Sequence, residues 1–90
     1  MESDEGRARS LLQAIARQCE TASERYGLSA REKEVLVELV RGRTIASIAE
    51  CLVVSENTIK AHTKSVYRKI GVHTREELLQ SVEEADGEIR

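Results

Sequence analysis

Apolar residues recur every three or four positions along most of the chain, which is the period of an amphipathic α-helix. We find no convincing alternation of the kind that is typical of a half-buried strand. Serine or threonine stands just before four of the periodic stretches and is the expected N-cap of each helix. These predicted caps are Ser29, Thr44, Ser55 and Thr74. The pattern therefore predicts an all-α fold with four capped helices after residue 28.

The residues between these helices support the same prediction. Ser29 and Thr74 are each followed three residues later by glutamate, the spacing of a capping box. Gly42 and Gly71 follow apolar stretches, where a left-handed residue commonly ends a helix. Only the tight turn LVVS, residues 52–55, separates the second helix from the third. A short helix, a turn and a longer helix thus follow one another, which is the order of a helix-turn-helix.

The third capped helix has two different faces. Its apolar face, with Thr63 in the middle, is expected to point to the core and consists of Ile59, Val66 and Ile70. Its other face carries Asn57, Lys60, Ala61, Lys64 and Arg68. This second face has no carboxylate, and its central alanine is small enough to let the helix lie close against a surface.

Formal charge is unevenly distributed, although the chain has a net charge of only -2. Residues 1–40 hold six basic and eight acidic side chains, so their net charge is -2. Residues 41–75 hold seven basic and two acidic side chains, which gives a net charge of +5. Residues 76–90 hold one basic and six acidic side chains, which gives a net charge of -5. The positive charge is therefore concentrated in the segment that contains the predicted helix-turn-helix.

A further helix is predicted before residue 28. Its apolar positions are spaced four and three residues apart, as in a heptad seam, and are Ala8, Leu12, Ile15, Cys19, Ala22 and Tyr26. The seam is shorter than the three or four heptads that identify a coiled coil. Two interpretations therefore stay open: a helix that packs on its own domain or serves as a linker, and a helix that pairs with a second subunit.

The remaining composition excludes several functions. The two cysteines and two histidines do not have the spacing of a metal site, and no catalytic motif or phosphate-binding loop is present. We expect no enzyme activity, no cofactor, no metal and reduced thiols in a cytoplasmic protein. No apolar run approaches 18 residues, so the chain is not expected to insert into a membrane. Two tyrosines are the only aromatic residues, which disfavours single-stranded nucleic acid as a ligand.

Duplex DNA fits the carboxylate-free face of the third helix. The major groove admits an α-helix, and guanine presents acceptors there that lysine or arginine can bind. A basic helix face is more often simply solvated. The preceding short helix and tight turn favour DNA, because in a helix-turn-helix the later helix enters the groove.

Most of this segment resembles the DNA-binding domain of the LuxR type, also called the GerE or FixJ type. The matching pieces are "LSAREKEVL", the glycine of "VRGRT", "IAECLVVSENTIKAHTKSVYRKIGV" and "TREEL", which together cover about 55 residues. The resemblance implies a four-helix module of bacterial transcription regulators, with a third helix that reads the major groove and a fourth that commonly supports dimerisation. It divides the chain into an acidic N-terminus with an amphipathic helix at 1–27, the domain at 28–84 and a polar tail at 85–90.

The resemblance also implies roles for individual residues. Base contacts are expected from Lys60, Ala61 and Lys64. Phosphate contacts are expected from Thr44, Ser55, Asn57, Thr58 and Arg68. The dimer interface is expected at Leu78, Leu79 and Val82, together with Leu12 and Ile15 of the N-terminal helix. Two roles stay open for His62: a contact to phosphate, or packing and hydrogen bonding at the helix edge. Glu34 is expected to pair with a basic group near the third helix.

Three positions depart from the pattern of that family. Ala46 and Ser47 stand where the family often has lysine and glutamate, so a backbone contact from the second helix is in doubt. Thr63 stands where a larger aliphatic residue is usual, so the space beneath the third helix is expected to be less tightly filled.

The expected partners are duplex DNA and a second copy of the chain, while RNA polymerase and an upstream sensory domain are further partners that the resemblance allows. Two other functions stay open: a sigma-factor promoter-reading domain, and a helical protein-interaction module that no longer binds DNA. The segment "EEADGEIR" is expected to be solvated, the alternative being that it masks the basic helix.

Overall fold

The structure is a computed structural model that describes residues 4–87 of the chain. Within this range the regular secondary structure is entirely helical, which confirms the predicted fold class. The N-terminal helix and the four capped helices are all present. They are α1 (Asp4–Tyr26), α2 (Ala30–Val40), α3 (Ile45–Leu52), α4 (Glu56–Ile70) and α5 (Arg75–Gly87).

Side-chain caps begin three of the helices where the sequence predicts them. Ser29 Oγ accepts a hydrogen bond from the Glu32 backbone N–H at 3.1 Å, and the Glu32 carboxylate accepts one from the Ser29 N–H at 2.8 Å. This reciprocal pair is the predicted capping box of α2. Thr44 and Ser55 each accept a hydrogen bond at 3.1 Å from the backbone N–H three residues further on. Each cap satisfies an N–H group that the helix itself leaves without a partner.

The start of α5 differs slightly from the predicted capping box. Thr74 Oγ1 accepts a hydrogen bond from the Glu77 N–H at 3.1 Å, as expected. The Glu77 carboxylate accepts in return from the Thr74 hydroxyl at 3.2 Å and from the His73 N–H at 3.3 Å, one residue before the cap. The carboxylate therefore closes the turn after Gly71, which ends α4 with a φ of 84°.

The core lies where the apolar faces of the helices meet. Ile59 and Val66 of α4 are fully buried and Ile70 is 9% exposed, which confirms the predicted inward face of this helix. α2 packs against α4 and α1, and α3 packs mainly against α4. The buried side chains that α2 and α3 contribute are Val35, Leu36, Leu39, Ile48 and Ala49.

α1 belongs to this core from Ile15, which is partly buried against it, to the end of the helix. Cys19 and Ala22 are fully buried, whereas Leu12 is 44% and Leu11 62% exposed. Burial raises the pKa of the Cys19 thiol to about 11, which keeps it protonated and unreactive. The first interpretation of the heptad seam is therefore confirmed for residues 15–26, whereas Ala8 and Leu12 remain exposed to solvent.

The apolar face of α5 packs against α1 within the same chain. Leu78 is fully buried and Val82 is 1% exposed, whereas Leu79 is half-buried. The predicted dimer contacts of Leu78 and Val82 are corrected accordingly, because α1 covers these two side chains and makes them core residues.

α5 also extends further than the sequence predicts. The helix continues to Gly87, and Ala85 is 1% exposed, so the predicted polar tail 85–90 begins inside a helix whose face is buried. The sequence analysis did not predict the last helical turn, residues 85–87, because Ala85 is the only apolar residue in that turn. Residues 88–90, which the masking hypothesis for the tail includes, lie outside the described residues.

Candidate nucleic-acid interface

The solvent side of α4 forms a continuous positive surface. Lys60, Lys64 and Arg68 follow one another at intervals of four residues and are all exposed. Among the described residues, none of the three takes part in an ion pair. We call this surface, together with Asn57 and Ala61, the cationic face.

α4 itself places little negative charge beside the cationic face. α4 contains a single carboxylate, Glu56, in its first turn, where it stabilises the positive end of the helix dipole. From residue 57 to residue 70 the helix carries only neutral and basic side chains. The positive groups are therefore available to an anionic ligand.

Ser55 and Thr58 sit at the N-terminus of α4, next to the cationic face. Their hydroxyl oxygens lie 2.9 Å apart, so one hydroxyl donates to the other and the second keeps its proton available. Both side chains are exposed, as are Thr44 and Asn57. Three of the predicted phosphate-contacting residues, Ser55, Asn57 and Thr58, thus lie at the positive end of a helix and can donate hydrogen bonds to an anion, whereas Arg68 lies in the last turn of α4.

The turn between α3 and α4 is held in an unusual backbone conformation. Val53 has φ 57° and ψ 50°, the left-handed region that a β-branched residue rarely adopts. Its N–H donates to the Glu50 carbonyl at 3.3 Å, and the Val54 N–H donates to the Ala49 carbonyl at 3.0 Å. This predicted tight turn redirects the chain within three residues, and α4 then packs against α3.

A groove runs between the first turn of α3 and the side of α4, and we call it the α3–α4 groove. It has a volume of about 520 Å³ and is open to solvent. Its less exposed lining residues, which form the floor, are Ile45, Thr63, Tyr67 and Val72. Its exposed rim consists of Lys60, Lys64, Arg68 and His73. Three members of the cationic face therefore also border an apolar depression.

Glu32 ties α2 to the other side of α4. Its carboxylate accepts hydrogen bonds from Lys69 Nζ at 2.7 Å and from the Ser65 hydroxyl. These bonds, with that from the Ser29 N–H, lower the pKa of Glu32 from its ordinary value of 4.5 to about 2, and Lys69 contributes most. Because Lys69 is held in this way, it is not part of the cationic face.

The prediction that Glu34 pairs with a basic group near the third helix is wrong. Glu34 pairs with Arg31 of its own helix at 3.4 Å, and both side chains are largely exposed. The role belongs to Glu32, two residues earlier. Residues two apart on a helix point about 200° away from each other, so only one of them can face α4.

A second buried carboxylate, which sequence reasoning missed, organises the turn between α2 and α3. Glu38 binds Arg41 through Oε1 at 3.1 Å and Arg43 through Oε2 at 2.7 Å. Arg43 also lies 3.5 Å from Ser47 Oγ, at the limit of a hydrogen bond. These contacts fix the chain immediately before Thr44, the cap of α3. The spacing of Glu38 and Arg41 by three residues was the available signal.

The described residues offer no other site of comparable chemistry. Among residues 4–87, no group of three or more histidine, cysteine or acidic side chains could hold a metal ion. In the same range, no helix is both long enough and apolar enough to cross a bilayer.

Comparison with known proteins identifies the family to which the helix-turn-helix segment belongs. Residues 26–82 match the family model described as bacterial regulatory proteins, luxR family. One similar protein is the probable transcriptional regulatory protein NarL of Mycobacterium tuberculosis, which is 46% identical over 53% of this chain and 22% of its own length. Another is the probable transcriptional regulatory protein SgaR of Hyphomicrobium methylovorum, which is 46% identical over 53% of this chain and 23% of its own length. The HTH-type transcriptional activator RamA of Corynebacterium glutamicum is 41% identical over 60% of this chain and 19% of its own length.

The chain spans less than a quarter of the length of these relatives. No solved structure matches it significantly. The segment that matches the family model contains α2, α3, α4 and most of α5, and with them the cationic face. Because this segment makes up more than half of the chain, the chain belongs to the luxR family of bacterial regulatory proteins, which are DNA-binding transcription regulators with a helix-turn-helix domain.

Proposed function

We propose that this chain regulates transcription by inserting α4 into the major groove of duplex DNA, with Lys60, Ala61 and Lys64 against the base edges. The observation that carries the proposal is the cationic face, which is exposed, unpaired among the described residues and free of carboxylates after Glu56. Lysine can donate to the O6 and N7 acceptors of guanine, and the small Ala61 lets the helix approach closely.

Phosphate contacts surround this helix in the proposed complex. Ser55, Asn57 and Thr58 flank its N-terminus, and Arg68 lies about three turns further along the cationic face. Thr44, at the start of α3, reaches the neighbouring stretch of the backbone. These contacts fix the register of α4 on the duplex, whereas the bases supply the sequence preference.

The chain acts in this proposal as a homodimer on a two-fold related site, with half-sites about 10 base pairs apart. Leu12 of α1 remains a proposed contact, joined by Leu11, which the structure exposes by 62%. Ile15 is a weaker candidate, because its side chain is partly buried against the core of its own chain. Half-buried Leu79 of α5 is the remaining candidate from the predicted interface.

RNA polymerase and a sensory domain upstream of α1 are the proposed further partners, and the cytoplasm is the proposed location. The support for a sensory input is that the relatives named above are four to five times longer than the segment they share with this chain. No enzyme activity is proposed, because the family is one of transcription regulators.

Selection from a random pool of duplex DNA, at low and at moderate salt, tests the proposal. A palindromic motif that persists at the higher salt is the expected result, and its half-site spacing reports the geometry of the dimer. Binding without sequence preference that disappears with salt would reduce the proposal to backbone electrostatics. Absence of binding at both salt concentrations would favour the protein-interaction module.

A further inference from the structure

We propose that the α3–α4 groove is a binding site for a small amphipathic organic anion, and that such a ligand excludes DNA from α4. The second part rests on the proposed function. Direct binding of the anion does not, because it can be measured with DNA absent. A site of this kind would let a small molecule regulate the DNA-binding domain itself.

The size and lining of the groove define the ligand. A volume of about 520 Å³ lies in the range of small-molecule sites, which are mostly apolar with a few polar groups. The floor residues Ile45, Tyr67 and Val72 offer an apolar surface. The rim has the opposite character, because it carries the ammonium groups of Lys60 and Lys64. A ligand with an apolar body and an anionic group at one end would therefore complement both the floor and the rim.

Thr63 accounts for the depth of the groove. It lies in mid-helix between the core face of α4 and the cationic face, at a position where the sequence already indicated too small a side chain. Its hydroxyl oxygen is buried and makes no hydrogen bond among the described residues. Because this oxygen has almost no accessible surface, Thr63 contributes to the groove through the small size of its side chain. A longer aliphatic side chain at this position would fill the depression.

Duplex DNA is a poor match for the floor itself. The backbone of DNA presents phosphates and sugars, which pair with the rim cations but leave Tyr67 and Val72 without an apolar partner. The rim cations are shared, however. Lys60 and Lys64 cannot neutralise a ligand's anionic group and lie against base edges at the same time, so the two ligands compete.

The test uses 8-anilinonaphthalene-1-sulfonate, an aromatic sulfonate, as the probe and follows backbone amide resonances of the full chain without DNA. The expected result is saturable binding with shifts centred on Thr63, Tyr67 and Val72. Shifts confined to the exposed apolar half of α1, around Leu12, would overturn the proposal.

Two variants at one position provide the matched comparison. Thr63→Leu fills the groove and keeps every rim cation, so probe binding should weaken more than tenfold. Thr63→Val keeps the shape of the side chain and should bind the probe with nearly wild-type affinity. Equal probe binding by wild type and Thr63→Leu would contradict the proposal.

A rim variant covers the case in which Thr63→Leu does not fold. Lys64 is exposed, so Lys64→Glu should fold normally and bind the sulfonate at least tenfold more weakly if the rim holds the anionic group. Unchanged binding by Lys64→Glu would overturn the proposal even without the first variant.

Competition then separates this inference from the proposed function. Saturating probe should weaken DNA binding by wild type and leave binding by Thr63→Leu unchanged. A chain that binds the probe in the groove but not DNA overturns the proposed function alone. A chain that binds DNA but not the probe overturns this inference alone.

Discussion

Lys64 and Arg68 lie one turn apart on α4, yet the proposed complex gives them different partners. Replacement of Lys64 by alanine should cost about 1–3 kcal/mol of binding free energy on the selected site, the value of a good base contact. The loss should be much smaller on unrelated duplexes. Quantitative titration of both duplexes measures the difference, and Arg31→Ala, which removes a positive charge from α2, is the control.

An equal loss on the specific and the unrelated duplex would assign Lys64 to a phosphate. The base role would then fall on Lys60 alone, because Ala61 offers only its methyl group. That outcome would leave DNA binding intact but correct the proposed register of α4 in the groove.

Arg68 is expected to behave in the other way. Arg68→Ala should weaken binding to every duplex by a similar factor and reduce the slope of log affinity against log salt by about 0.9, the value of one phosphate contact. Affinities measured at four or more salt concentrations give the slope. A change of sequence preference with an unchanged slope would show that Arg68 contacts a base.

The contacts of single residues were also the hardest features to predict from the sequence. The caps Ser29, Thr44 and Ser55 were predictable because a cap acts on a backbone three residues away. The choice between Glu32 and Glu34 was not, since it depends on which side of α2 the distant α4 covers. Local chemistry can be inferred from spacing, whereas a tertiary ion pair requires the packing angle.

At the scale of helices, the link between α2 and α4 depends on the ionisation of Glu32. The folded-state pKa of about 2 lies below the ordinary 4.5, so the ionised carboxylate stabilises the fold at neutral pH. This contribution, about 1–3 kcal/mol, is fully present above pH 4.5 and is lost as the pH falls towards 2. Denaturant unfolding between pH 7 and pH 2 should show the decline.

Glu32→Gln provides the comparison for this effect. The variant should be less stable than wild type at pH 7, and the difference should shrink towards pH 2, where the wild-type carboxyl is partly protonated. Glu34→Gln, which changes an exposed carboxyl on the same helix, should remain close to wild type throughout. A constant difference between Glu32→Gln and wild type at all pH values would remove ionisation as the cause.

Helix α5 shows what the periodicity of apolar residues can predict and what it cannot. The prediction recognised the apolar face at Leu78 and Val82 but assigned it to a dimer. Nothing in the periodicity of α5 distinguishes a face that binds its own chain from one that binds another. The same limitation applied to α1, whose seam is buried at Cys19 and exposed at Leu12.

For the whole molecule, the exposed half of α1 makes a prediction about association. Leu12→Glu places a charge in the proposed α1–α1 contact and should raise the dimer dissociation constant by at least about tenfold, or 1.4 kcal/mol. Ser10→Glu adds the same charge on the opposite side of the helix and should leave it unchanged. Sedimentation equilibrium measures the constant directly. Identical association by both variants would move the interface to Leu79 or elsewhere.

The cover that α1 forms over α5 has a practical consequence for anyone who transplants this domain into another protein. The segment that matches the family model ends at residue 82 and begins at residue 26, so it leaves out Cys19, Ala22 and Ala85, all fully or almost fully buried. A chimera cut at those borders would lack the α1 residues that cover α5, so it would expose Leu78 and Val82 to water. The portable module is therefore residues 15–87, which also keeps Ile15 against the core, and a new input domain should be joined to the solvent-exposed turns of α1 that precede it.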